Sequence, residues 1–186
     1  NVTFVQASIL DLPFKKKSFD IVFCHRVIQH TPDPEATLDH ILQYVKDDGA
    51  IFVHTYARTF VQMFRWKYAL RPFTKRMDPE RLYNFIKSYA RAAFKFTNFM
   101  RKIPGGRYFN FFFVPYLNYR HVKSFERMSD EEMIEYGIHD TFDALSPAYD
   151  SPLSAKTLDK YARKHLKMPY EIEKRPTTTF LRTKID

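Results

Sequence analysis

The stretch VQASILDLPFKKKSFDIVFCHRVIQH, residues 5–30, decides how the rest of the chain is read. It divides into strand, loop, strand and turn. Phe4 and Val5 close an extended apolar segment. Pro13 fixes its own φ and moves Leu12 away from helix, so Asp11-Leu12-Pro13-Phe14 reads as a turn. Lys15, Lys16, Lys17 and Ser18 form a solvated loop. Residues 19–24, FDIVFC, are nearly continuously apolar. That pattern suits a parallel strand buried on both faces, and a buried helical segment would show the same run.

Working outward, Asp33-Pro34-Glu35 opens a helix. Asp33 can cap it, Pro34 suits the first helical position, and Glu35 suits the positive end of the dipole. Leu38, Ile41, Leu42 and Val45 follow as one apolar stripe. Lys46-Asp47-Asp48-Gly49 is expected to end the helix, with Gly49 free to take positive φ. Residues 50–54, AIFVH, read as the next buried strand.

The chain has 186 residues, and 45% of them are hydrophobic. That is enough for one domain with a sizeable core, and it excludes a disordered chain. No apolar run approaches the roughly 18–20 residues that span a bilayer, and no signal peptide is visible. One cysteine, Cys24, excludes an internal disulfide and fits a reducing, cytoplasmic setting. Within a buried strand it reads as a small core residue rather than a nucleophile. The seven histidines lack metal-ligand spacing, so no metal is expected.

The string LPFKKKSFDIVFCHRVIQHTPDPEATL, residues 12–38, resembles the class I S-adenosylmethionine-dependent methyltransferases in their small-molecule, type 11 branch. That family carries LPF, then SFD, a hydrophobic strand, a His and a DP pair in the same order and spacing. Residues 45–49, VKDDG, are similar to the family's LKPGG turn, with Asp where Pro and the first Gly usually stand. DTFDALSPAYD, residues 140–150, resembles a segment of methyltransferases that modify glycans and secondary metabolites. Lys167-Met168 stands where the family normally shows GF.

The resemblance implies an α/β fold with an incomplete Rossmann-like sheet. Of the family order 3-2-1-4-5-7-6, the chain would retain 4-5-7-6. Residues 1–7 would be the third strand, without its neighbour. Ser154 would cap a helix that turns Leu158, Tyr161, Ala162 and Leu166 inward, before a closing strand pair at residues 170–174 and 178–185. The expected organisation is residues 1–56 as the C-terminal half of a cofactor-binding core, 57–150 as an inserted helical lid, and 151–186 as the closing helix and strands. The chain begins with Asn1, holds four glycines and has no GxG. It therefore reads as a fragment that binds cofactor poorly without upstream sequence, the alternative being a complete chain that has lost cofactor binding.

The resemblance also implies S-adenosylmethionine as the cofactor. Ser8 stands where the family has an Asp that bonds the adenine amino group; the N–H of Ile9 would meet a ring nitrogen, and Leu10 follows. Cys24, His25 and Arg26 stand where members meet the methionine part, largely through backbone. His30 is the candidate base, because imidazole titrates near neutrality. Its competing role is to bond backbone and fix the turn. Tyr56, His139 and Tyr149 are candidates to line the substrate site; His139-Asp140 could form an orienting pair, and Tyr149 could equally be packing.

The expected insertion has its own character. Asp78-Pro79-Glu80 starts a helix with apolar positions Leu82, Phe85, Ile86, Tyr89, Ala93, Phe96, Met100 and Ile103. Lys87, Arg91 and Lys95 share another face. Pro104-Gly105-Gly106 breaks the helix, and YFNFFFVPYLNY follows at residues 108–119. Ser129-Asp130-Glu131-Glu132 is a capping box for a short helix expected to stop near Gly137. Net charge is +9, and residues 57–107 hold thirteen Lys/Arg against Asp78 and Glu80. This basicity is either a solvated helix face or a surface for an anionic substrate, an anionic membrane or nucleic acid. The dense Phe and Tyr beside it favour an amphiphilic, lipid-linked or phosphorylated target, and nucleic acid ranks last because no RNA-binding motif accompanies the charge. Two functions stay open: a methyltransferase acting on a small-molecule, glycan-type or lipid-linked acceptor, and a non-catalytic binding or peripheral-membrane module of the same fold. An unpaired sheet edge would favour self-association.

Overall fold

The computed structural model describes residues 1–183, and of residues 61 and 62 only the backbone. In chain order the elements are β1 (Phe19–His25), α1 (Pro34–Ile41), β2 (Val45–Tyr56), α2 (Phe60–Met63), α3 (Trp66–Thr74), α4 (Pro79–Met100), α5 (Gly106–Phe113), α6 (Asp130–Leu145), α7 (Ala155–His165), β3 (Tyr170–Lys174) and β4 (Thr178–Thr183). The chain divides into two compact units, Asn1–Gln62 with Tyr149–Asp186, and Met63–Ala148. Among the described residues no helix is long and apolar enough to cross a membrane.

The first unit is built on one four-stranded sheet in the order β1-β2-β4-β3. β1 and β2 are parallel, and β4 runs antiparallel between β2 and β3. This is the 4-5-7-6 order expected from the sequence. Of the expected closing strand, Lys184 and Ile185 lie outside the described residues. α1 and α7 cover one face, where Cys24, Leu38, Ile41, Leu42, Ile51, Val53, Leu158, Ala162 and Leu181 form the core. Asp33 caps α1 by accepting the Ala36 N–H at 3.0 Å, and Ser154 caps α7 by accepting the Thr157 N–H at 3.0 Å.

Four details differ from the sequence expectation, each for a local reason. First, β1 is not buried on both faces. Side chains alternate along a strand, so Cys24 enters the core while Ile21 and Phe23 remain 67% exposed on the other face. Second, residues 1–7 form no strand. Among the described residues β1 is paired on one side only, so the segment has no ladder to join, and Phe4 is 93% exposed. Third, α1 ends at Ile41, and Val45 already belongs to β2, although the whole stripe is buried. Fourth, Gly49 does not terminate a helix, nor does it take positive φ. Residues 46–49 bulge within β2, because Phe19 pairs with Val45 while Ile21 pairs with Ala50. The need for glycine there is space: a Cβ on Gly49 would lie 2.7 Å from the Asp20 carbonyl oxygen.

The second unit is helical. Its core gathers Trp66, Leu82, Ile86, Ala90, Phe94, Val114, Tyr116, Met133, Ile134, Ile138 and Leu145. The Asp78 cap on α4 is present, but the buried stripe is Leu82, Ile86, Ala90, Phe94 and Thr97. This is a four-residue ridge that packs against α5 and α6; Phe85 and Phe96 of the expected stripe stay exposed. The capping box of Ser129 and Glu132 starts α6 as expected. The helix then runs through Gly137 to Leu145. Gly137 is a point of close approach and not a stop: a Cβ there would lie 2.3 Å from the Tyr116 hydroxyl.

Candidate functional site

Parallel strands of an open α/β sheet present ligands with the loops at their carboxyl ends. In the first unit those are the ends of β1 and β2. Cys24, the last inward residue of β1, is buried, and burial pushes its thiol pKa up. It packs as a core residue. His25 and Arg26 follow in the open. Arg26 takes φ 56°, a left-handed conformation rare for a residue with a side chain. The peptide N–H of Arg26 donates to the His54 carbonyl at 2.8 Å, which ties the β1 turn to the end of β2. Backbone strain held in place by such a bond is found where loops serve ligands.

The chain then makes a 3-10 turn over Ile28–His30. His30 Nδ1 lies 3.0 Å from the Tyr149 carbonyl oxygen. A carbonyl can only accept, so Nδ1 carries the proton and Nε2 keeps the lone pair. The ring is also edge-on to Tyr56, with centroids 5.9 Å apart. His30 thus makes the backbone bond that fixes the turn, and that same bond leaves Nε2 as its basic atom. Tyr56, His30 and Tyr149 are brought together; the Tyr149 side chain itself is exposed.

Sequence reasoning passed over two residues here. Gln29 is fully buried: its Oε1 accepts from the Thr55 hydroxyl at 3.2 Å, and its backbone carbonyl accepts the Ser151 N–H at 2.8 Å. Its Nε2 has no hydrogen-bond partner among the described residues. His54 on β2 is only 3% exposed, and neither ring nitrogen finds a partner among the described residues. It stacks on Phe180 at 4.2 Å and meets the His25 ring at 4.5 Å. Burial above all, with the positive charges of His25, Arg26 and Arg175, pushes its pKa down to about 4. The available signals were weak: a polar residue beside a candidate base, and a histidine closing an apolar strand.

Ser8, Ile9 and Leu10 form a local turn. The Leu10 N–H donates to Ser8 Oγ at 3.2 Å, and the Asp11 N–H to the Ser8 carbonyl at 3.0 Å. Ile9 packs against the core while Ser8 and Leu10 are exposed. In the second unit, Lys87 and Lys95 are exposed on α4. Arg91 between them is held by a two-pronged ion pair with Glu131, both bonds 2.6 Å, so the three do not act as one set of open cations. His139 and Asp140 turn to different partners: His139 Nε2 lies 3.4 Å from the Tyr83 hydroxyl, and Asp140 accepts from the Tyr119 hydroxyl.

Residues 1–53 match the family model described as a methyltransferase domain. The matched span runs through β1, the His30 turn, α1 and most of β2. No curated protein matches the chain. Among solved structures, a "putative methyltransferase" from Bacillus halodurans is 14% identical, with 97% of this chain and 76% of that chain covered and a TM-score of 0.32. The YcgJ protein from Bacillus subtilis is 15% identical, with 100% and 72% covered and a TM-score of 0.35. A "putative sarcosine dimethylglycine methyltransferase" from Galdieria sulphuraria is 13% identical, with 95% and 56% covered and a TM-score of 0.29.

Proposed function

We propose that the protein is an S-adenosylmethionine-dependent methyltransferase acting on a small-molecule, glycan-type or lipid-linked acceptor. The observation that carries this reading is the family match over residues 1–53. The sheet supports it: β1 and β2 are parallel neighbours, so their carboxyl ends lie together, and that is the end of an open α/β sheet at which ligands bind.

The residues present suit such a cofactor in kind. Ser8 Oγ accepts one N–H and has a second lone pair for an adenine amino group. The N–H of Ile9 and the strained turn at Arg26 offer backbone groups. The buried Gln29 Nε2 is a donor in want of an acceptor, a role that a carboxylate fills well. The cofactor would supply the methyl group on a sulfonium, already activated for in-line displacement. The chain's part is to orient the acceptor and exclude water. His30 Nε2, with its ring held by the Tyr149 carbonyl, takes the proton of an acceptor hydroxyl or amine.

Calorimetric titration of S-adenosylmethionine into the full-length protein tests the reading. Saturable binding is expected, and His30→Gln should retain it while lowering methyl transfer by about 10²–10⁴-fold. Full-length protein that binds neither S-adenosylmethionine nor its demethylated product would overturn it. A second reading, a non-catalytic module of the same fold, is favoured by one observation: Ser8, with an uncharged hydroxyl, stands where the resemblance implies an Asp for the adenine. Binding of cofactor without turnover on any acceptor would select it.

A further inference from the structure

The hairpin of α4 and α5 carries a second apolar surface besides the one it buries. Phe96, Phe99 and Ile103 at the end of α4, and Phe109 and Phe113 on α5, are exposed, Phe113 to 68%. Three of the rings are contiguous: Phe96 and Phe109 have centroids 6.4 Å apart, and Phe109 and Phe113 5.3 Å. The surface is held firmly. Gly105 turns the chain at φ 79°, and the buried Asn110 donates from Nδ2 to the Thr97 carbonyl at 2.9 Å, clamping α5 onto α4.

The charge along this stretch of chain has one sign. Residues 81–125 contain nine Lys/Arg and not one Asp or Glu. Arg91 and Arg120 are taken up by Glu131 and Asp130 of α6. Lys95, Lys102 and Arg107 are exposed, and among the described residues none of them pairs with a carboxylate. A contiguous aromatic patch of this kind marks an interaction surface, and its rim selects the partner. A second copy of the chain would bring cations against cations. Nucleic acid suits the charge, but it is held by rings on which bases stack and has no use for an aliphatic side chain. Here the exposed set includes the aliphatic Ile103, and the rings are inclined at 69° and 42° to one another.

We propose that the α4–α5 hairpin docks on an anionic lipid surface. The Phe and Ile side chains enter the boundary between headgroups and acyl chains, and Lys95, Lys102 and Arg107 meet the headgroup phosphates and carboxylates. This stands independently of the catalytic reading, since it uses no residue of the first unit.

Flotation of the full-length protein with vesicles tests it, using phosphatidylcholine alone and phosphatidylcholine with about a third phosphatidylserine. The anionic vesicles should be bound at least about tenfold more tightly, and added salt should weaken the binding. Lys95→Gln with Lys102→Gln and Arg107→Gln should lower the affinity about tenfold or more. Phe99→Ala with Phe113→Ala should do the same. Both variants alter exposed positions, and unchanged far-ultraviolet circular dichroism will show that they fold. Equal binding to both vesicle types, or retention of binding by either variant, overturns the proposal. So does a dimer in light scattering that the Phe variant returns to monomer, or tighter binding of a single-stranded oligonucleotide than of the anionic vesicles.

Discussion

Acid should weaken the first unit through His54, and replacing that one residue should remove the effect. The imidazole is nearly inaccessible, stacked on Phe180, and without a hydrogen-bond partner among the described residues. Protonating it in place would bury an unpaired charge among His25, Arg26 and Arg175. Its pKa in the fold is about 4, against an ordinary value of 6.5. The unfolded chain therefore takes up this proton first as pH falls. Stability is full above pH 6.5, declines between 6.5 and 4, and below 4 carries the whole loss without further change from this group. At about 1.4 kcal/mol per pH unit for one proton, the loss is bounded at about 3.5 kcal/mol. His54→Phe keeps the ring stack and deletes the proton site. It also deletes two orphaned nitrogens, so it should be neutral or stabilising at pH 7. Urea unfolding followed by circular dichroism at pH 7, 6, 5 and 4.5 provides the assay (the pH points bracket the titration window). The difference in stability between wild type and His54→Phe should widen as pH falls through that window. Asp39 is held below the ordinary carboxylate range by His165 and Lys164, Asp47 by Lys167 and Lys17, and Asp159 by the Tyr170 hydroxyl and Arg163. They titrate alike in both proteins and cancel in the difference. A constant difference across the window would refute the reasoning.

Three further outcomes follow from the packing. Gly49→Ala should lower stability by about 1–3 kcal/mol, because the new Cβ meets the Asp20 carbonyl at 2.7 Å; a shift in the urea midpoint measures it, and no shift would mean the β2 bulge yields freely. Leu158→Ala should cost about 2–5 kcal/mol, since this α7 side chain is fully buried in the sheet-facing core. Cys24 should react with a thiol reagent only slowly at neutral pH and fully in urea, because burial both shields it and raises its pKa; rapid native labelling would place it at an accessible surface.

The parts of this fold legible in the sequence were those set by local chemistry. Asp33, Asp78, Ser129 and Ser154 all cap helices where their side chains and the following residues suggest. The sheet order was legible only through the resemblance of residues 12–38, because periodicity cannot say which strand lies beside which. What failed was whatever depends on a neighbour. An apolar run such as residues 19–24 looks doubly buried, but nothing in it reports that only one face meets helices. Helix α4 has more apolar positions than one stripe needs, so the choice of Leu82, Ile86, Ala90 and Phe94 over Phe85 and Phe96 was made by α5 and α6. Gly49 and Gly137 look in sequence like chain-turning residues because φ is a local property, while the atoms that require a bare Cα belong to distant residues. In the site, the position of His30 was legible and its partner, the Tyr149 carbonyl, was not. The buried Gln29 and His54 carried only weak signals, since burial is set by neighbours far along the chain.

The division of the first unit into two stretches of chain has a consequence for how the protein is made. The amide of Ile51 bonds the Thr183 hydroxyl, 132 positions further on, and β4 is the strand that joins β2 to β3. During synthesis, β1, α1 and β2 emerge before β4 and must wait for it before the sheet can close. The helices from Met63 to Ala148 need only each other and can pack as they appear. Contacts so far apart in sequence close slowly, so the ribosome-bound intermediate has a finished helical segment hanging from an unfinished sheet. In that interval the unpaired edge of β2, with Phe52 and His54 on it, is the surface that invites wrong pairing. The window of vulnerability ends only when β4 arrives.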